Sequence, residues 1–120
     1  MIKVVVLIKK RPDITTEQFR HHYEHVHAPL VDRLLPYYAT YRRNYVGAPV
    51  RGHQAEFGWD VITELEFATA SDYEAWQAAL LRPEVVDQIR ADEANFLVSA
   101  ETRMWEVSPC SSDYSEDEPR

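Results

Sequence analysis

Apolar positions recur along this chain with two periods, and the change from one to the other marks its elements. Ile2 to Lys9 is a short β-branched run closed by Arg11-Pro12-Asp13, which reads as a strand. Both of its faces are apolar, with Ile2, Val4, Val6 and Ile8 on one and Val5 and Leu7 on the other, so both sides of the sheet need cover. From Thr15 the spacing becomes helical: Phe19, Tyr23, Val26, Leu30 and Leu34 fall on one stripe. Thr15 with Gln18 has the spacing of a capping box, and Ile14 and Phe19 occupy the staple positions beside it. Pro29 either bends this helix or ends it and lets Leu30 to Leu35 restart.

Period two then returns. Tyr37 to Val46 predicts a second strand, with Tyr37, Tyr41 and Tyr45 on one face and Thr40, Arg42 and Asn44 on the other. Gly47 to Gly58 is a loop long enough to act as a flap, and it carries His53. In the third strand, Trp59 to Phe67, the residues Trp59, Val61, Thr63, Leu65 and Phe67 alternate with Asp60, Ile62, Glu64 and Glu66. Ser71 with Glu74 suggests a second capping box, opening a helix through Trp76, Leu80 and Leu81. Pro83 opens a further helical segment with Val85, Val86 and Ile89 inward. Phe96 to Val107 is the fourth strand, and Ser108 to Arg120 is an acidic, disordered tail. The domain is thus residues 1–107, of class α+β, in the βαββαβ order of a ferredoxin-like fold. Helices can cover only one face of such a sheet. The exposed apolar side of the first strand therefore predicts a homodimer packed sheet on sheet.

Composition narrows the function classes. A net charge of -7 argues against nucleic-acid and acidic-membrane partners. The single cysteine, Cys110, lies in the tail, so no internal disulfide forms and a catalytic thiol is not expected. The N-terminal apolar run is too short to span a membrane and lacks the features of a signal peptide; the expected location is the cytoplasm. There is no glycine-rich phosphate loop, no cysteine-based metal set and no nucleophile elbow.

The first helix holds four of the five histidines. On an ideal helix His27 falls roughly 55° from the centre of the apolar stripe, and His22 about 85° to its other side. His21 and His25 point outward; they are an i, i+4 pair without a further ligand at a telling spacing, and no metal site is expected.

The stretches 5–31, 59–67 and 91–107, with Phe19, Tyr23, His27, Pro29 and Leu30 as the most specific positions and Asp60 and Glu64 as support, resemble the EthD-domain proteins of the dimeric α+β barrel superfamily. The resemblance spans about residues 1 to 107. His22 stands where the family more often has a tyrosine. The resemblance implies a four-stranded antiparallel sheet, a homodimer, and a pocket between sheet and helices in each subunit. It implies no cofactor. It also implies an activity among the decarboxylases, cyclases and dehydratases of aromatic polyketide pathways, the partners of degradative oxygenases, or the cofactor-free monooxygenases.

On these grounds His27 is the expected general acid or base, with Asp60 orienting it. His22, Tyr23, Glu64, Tyr41 and Tyr45 are the expected substrate-binding residues around a small aromatic or hydrophobic compound. A half-buried Asp60 or Glu64 would have its pKa raised. For each there is a plainer possibility. His27 could be a core histidine tied to a backbone carbonyl. Asp60 and Glu64 could belong to a solvated sheet face or pair with Arg42 or Arg43. Tyr41 and Tyr45 could be cross-strand packing. The expected chemistry is proton transfer leading to cyclisation, dehydration or decarboxylation of a polyketide-like or β-keto compound. The alternatives are a cofactor-free monooxygenase of an anthrone-type substrate and a non-catalytic carrier of a hydrophobic metabolite.

Overall fold

The computed structural model describes residues 1–52 and 56–113. Strand β1 (Ile2–Ile8) is central and β-branched. It pairs antiparallel with β3 (Val61–Phe67) on one side and β4 (Arg103–Val107) on the other. Strand β2 (Thr40–Tyr45) pairs antiparallel with β3, which gives the order β2-β3-β1-β4. This is an α+β, ferredoxin-like, four-stranded antiparallel sheet.

Between β1 and β2 lie three consecutive helical pieces: α1 (Thr16–His22), a π turn (Tyr23–His27) and α2 (Ala28–Leu34). The predicted capping box is present: Thr15 Oγ1 accepts from the Gln18 amide at 3.0 Å, and Gln18 Oε1 accepts from the Thr15 amide at 2.8 Å. In the π turn the Ala28 amide reaches back five residues to the Tyr23 carbonyl. Pro29 follows directly. It has no amide to donate, and its ring crowds the carbonyl four residues earlier, so a wider turn ahead of it relieves both conflicts.

The wide turn inserts one residue into the helical register, which rotates everything after it by about 100°. The expected stripe Val26, Leu30, Leu34 therefore moves one place, to His27, Val31 and Leu35, which are buried. Val26, expected inside, is 46% exposed.

The helices after β3 also differ in detail. Helix α3 (Ala70–Ala79) is capped by Thr69, whose side chain accepts from the Asp72 amide at 3.0 Å; Ser71 lies inside the helix rather than at its cap. Leu81 lies beyond its end and is 83% exposed. Helix α4 (Pro83–Glu93) begins on its proline and buries Val85 and Ile89. The predicted long fourth strand is shorter. Leu97 forms an isolated bridge with Lys10, Ser99–Glu101 is a 3-10 turn, and only Arg103–Val107 joins the ladder.

One sheet face carries Val4, Val6, Ile8, Val61, Leu65 and Phe67 and is covered by the helices. The opposite face carries Val5, Leu7, Ile62 and Trp105 beside the polar Lys3, Glu64 and Arg42. Among the described residues no helix is long and apolar enough to cross a membrane. Residues 108–113 are exposed and form no helix or strand. His53 of the expected flap, and the tail from residue 114, lie outside the described residues.

Candidate active site

A cleft of about 600 Å³ opens between the helices and the covered sheet face. Val6, Ile8 and Leu65 form its floor, and Val31, Leu35, Trp76 and Ile89 form its walls. Such an apolar chamber suits a small hydrophobic molecule. Its polar lining comes from two sides: Tyr23, His27, Tyr41 and Thr63 from the π turn, β2 and β3, and Arg90, Glu93, Ser99 and Thr102 from α4 and the segment after it.

His27 is 4% exposed and sits on the cleft wall. Its Nδ1 lies 2.8 Å from Asp92 Oδ2, near the end of α4. His22 approaches the same carboxylate from one turn earlier, with Nε2 2.9 Å from Asp92 Oδ1. Burial works against an ionised Asp92, but the hydrogen bonds from His27 and His22 outweigh it and hold the carboxyl below its ordinary range. An ionised carboxylate only accepts, so His27 Nδ1 and His22 Nε2 are both donors. The remaining His27 nitrogen, Nε2, has no protein partner among the described residues and is not sealed in the core, and His27 lines the cleft. Burial pushes the His27 pKa down, against the upward pull of Asp92, which favours the neutral ring. A neutral imidazole with Nδ1–H anchored on a carboxylate and Nε2 unprotonated has the form a general base needs.

The buried ring of Phe96 fixes both imidazoles from the side. Its centroid is 4.7 Å from that of His22 and 4.8 Å from that of His27. The plainer reading of His27, a core histidine bonded to a carbonyl, does not describe its environment.

A second polar group lies beside the first. The Tyr23 and His27 ring centroids are 5.6 Å apart. Tyr23 OH is 2.9 Å from Thr63 Oγ1, and Tyr41 OH is 3.0 Å from Tyr23 OH. All three residues line the cleft. Behind them Arg43 stands over the Tyr41 ring at 4.6 Å and makes a two-pronged pair with Glu24, at 2.8 and 2.9 Å. That pair brings the Glu24 carboxyl down to about 2.

The expected carboxylates are elsewhere. Glu64 lies on the opposite sheet face, where it pairs with Lys3 and accepts from Asn44 at 2.9 Å. Its pKa is lowered by Lys3 and Asn44, not raised. The reason is strand parity: Thr63, not Glu64, shares the cleft side with Val61 and Leu65. Asp60 precedes β3, accepts from the Lys10 amide at 2.7 Å and does not line the cleft; the carboxylate that holds His27 is Asp92 instead. Tyr45 reaches Glu24 at 2.5 Å and packs on Phe19, outside the cleft lining. His22 supports Asp92 and does not line the cleft. His21 and His25 are exposed, their ring centroids 4.5 Å apart.

The sequence reading missed Asp92, Thr63 and Glu93. Glu93 does line the cleft, and burial raises its carboxyl pKa despite Arg90 nearby, the behaviour expected of Asp60 or Glu64. The available signal was the adjacent Asp92-Glu93 pair in the last turn of an amphipathic helix, where one carboxylate faces a neighbouring helix and the next faces the sheet.

Comparison with known proteins agrees with this architecture. The EthD domain matches residues 11–100. No curated protein sequence matches the chain significantly. An EthD-like protein from Ralstonia eutropha is similar in structure, with 21% identity and TM-score 0.63, covering 94% of this chain and 96% of that one. A protein of the ethyl tert-butyl ether D (EthD) family from Bacillus halodurans has 18% identity and TM-score 0.62, covering 92% and 100%. A dimeric ferredoxin-like protein of unknown function from Bacteroides fragilis has 16% identity and TM-score 0.55, covering 88% and 93%. At these identities the structures speak for the fold, while the domain match spans most of the chain: this protein belongs to the EthD-domain family.

Proposed function

We propose that the protein is a small enzyme that moves protons on a hydrophobic, aromatic β-keto or polyketide-like compound without a cofactor. The observation that carries this reading is the His27 ring, with Nδ1 held by Asp92 and Nε2 free toward an apolar cleft. In the reaction His27 Nε2 takes a proton from a carbon next to a carbonyl. The C–H electrons move onto the carbonyl oxygen, and the imidazolium formed is stabilised by Asp92. The enolate then closes a ring, expels a β-hydroxyl that leaves as water with the imidazolium's proton, or is reprotonated by the same imidazolium; in a β-keto acid the C–CO2 bond electrons form the same enolate as carbon dioxide leaves, and a protonated His27 supplies the carbon's new proton. Apolar walls keep water from competing for the enolate.

Wild-type protein should exchange the α-hydrogen of aryl β-keto esters for deuterium in D2O above the buffer rate, as followed by NMR. His27→Ala should lose about 10²- to 10⁴-fold of that exchange, the usual weight of a general base. Equal exchange by wild type and His27→Ala would remove the imidazole from the chemistry. Tight binding of these esters by wild type with no exchange would make the cleft a carrier site instead.

A further inference from the structure

The three cleft hydroxyls hold one proton more than the protein uses. Tyr41, Tyr23 and Thr63 each bring one O–H, three in all, and they are joined by two hydrogen bonds. No further acceptor for any of the three is present among the described residues. Tyr41 donates to Tyr23, so one O–H is left over at Thr63 or at Tyr23, depending on which of those two donates to the other. Tyr23 and Thr63 are almost fully buried, so bulk water does not absorb it. All three residues line the cleft on the side where Tyr23 packs against His27. The rest of the lining is mainly apolar, with Arg90, Glu93, Ser99 and Thr102 as its other polar residues.

From this geometry we propose that the Tyr41–Tyr23–Thr63 chain is a hydrogen-bond donor site for the oxygen of the bound molecule, and that it selects compounds presenting a carbonyl or phenolic oxygen beside the carbon or hydroxyl that faces His27. The proposal rests on the proton-transfer reading and gives it a substrate class: enolisable aryl ketones and their enol or phenol forms. As the α C–H bond breaks and its proton passes to His27 Nε2, the electron pair collects on the carbonyl oxygen. The spare O–H meets that oxygen, so the developing negative charge is hydrogen-bonded without any other group being oxidised, reduced or released. Burial raises the pKa of Tyr23 and of Tyr41, so both stay protonated and keep donating. Hydroxyls in series strengthen one another, and the Arg43 charge over Tyr41 polarises the chain in the same sense. Such preorganised donors commonly contribute 10²- to 10³-fold in rate.

The test compares binding of 4-nitrophenol with that of its methyl ether, 4-nitroanisole, to wild type, Tyr23→Phe, Thr63→Val and Tyr41→Phe. The phenolate absorbance reports the ionised form, and the ether, which carries no phenolate oxygen, reports an intact cleft. Wild type should bind the phenolate more than tenfold tighter than the ether. Tyr23→Phe and Thr63→Val should each lose about tenfold or more of phenolate affinity with ether binding unchanged. Tyr41→Phe, nearer the rim, guards against misfolding of the two buried variants and should show the same loss in smaller measure. Equal binding of phenolate and ether by wild type, or unaltered phenolate binding by all three variants, would overturn the donor site. Deuterium exchange separates the two ideas. If His27→Ala abolishes exchange while the hydroxyl variants bind phenolate like wild type, the enzyme reading stands and this one falls. If wild type shows no exchange but its phenolate preference depends on the hydroxyls, the donor site stands in a binding protein.

Discussion

The His27 imidazole donates from Nδ1 to the Asp92 carboxylate at 2.8 Å, across 65 positions of sequence. That contact selects the tautomer, and with it the atom left free for chemistry. It also ties the π turn to the end of α4, so the imidazole is held by two elements that meet only in the folded chain.

Asp92→Asn should leave the chain folded and lower proton transfer on the order of 10²-fold or more. An amide offers the imidazole both a donor and an acceptor, so the ring can adopt the tautomer whose Nε2 carries the proton. In NMR titrations the His27 midpoint should drop further below its ordinary 6.5, because Asp92 supplies the upward pull that partly offsets burial. An unchanged rate and midpoint in the variant would show that the pair is idle.

Activity should rise with pH through the His27 pKa, below 6.5, and stay level above neutrality, since the neutral ring is the base. Stability should follow the same direction. The folded state holds His27 neutral more strongly than the unfolded chain does, so its contribution is full above 6.5 and is lost as pH falls toward the lowered folded value. Asp92 adds a second window: its stabilisation is present above the ordinary 3.8 and fades as pH falls through its depressed pKa. Urea denaturation between neutrality and pH 3 measures both; stability constant through the first window would contradict the buried neutral ring.

The uncovered sheet face should form a homodimer. Val5, Leu7 and Ile62 are only half-buried there, and Trp105 is 63% exposed. Leu7→Glu places a charge at the centre of that face, and sedimentation should show a shift from dimer to monomer. A wild type that sediments as a monomer at micromolar concentration would refute the sheet-to-sheet packing.

Thr15→Ala removes the threonine hydroxyl's half of the capping box, and the chain should lose about 1 kcal/mol in denaturant unfolding. Because Thr15 is exposed and far from the cleft lining, deuterium exchange should be untouched.

The sequence by itself determined the element order, the cap at Thr15, the strand character of β1 and β3, and the need for cover on both sheet faces. These are local: they follow from period, β-branching and turn chemistry within a few residues. It also singled out His27, though 55° from where the stripe was expected to centre. Only the tertiary structure decided the rest. The π turn before Pro29 exchanged Val26 for His27 on the buried face, because one inserted residue rotates the helix while leaving the apolar pattern unchanged. Strand parity sent Glu64 outward and Thr63 inward; alternation reveals two faces but does not say which one the helices will cover. The carboxylate that orients the histidine came from α4, and no spacing rule connects residues 65 positions apart.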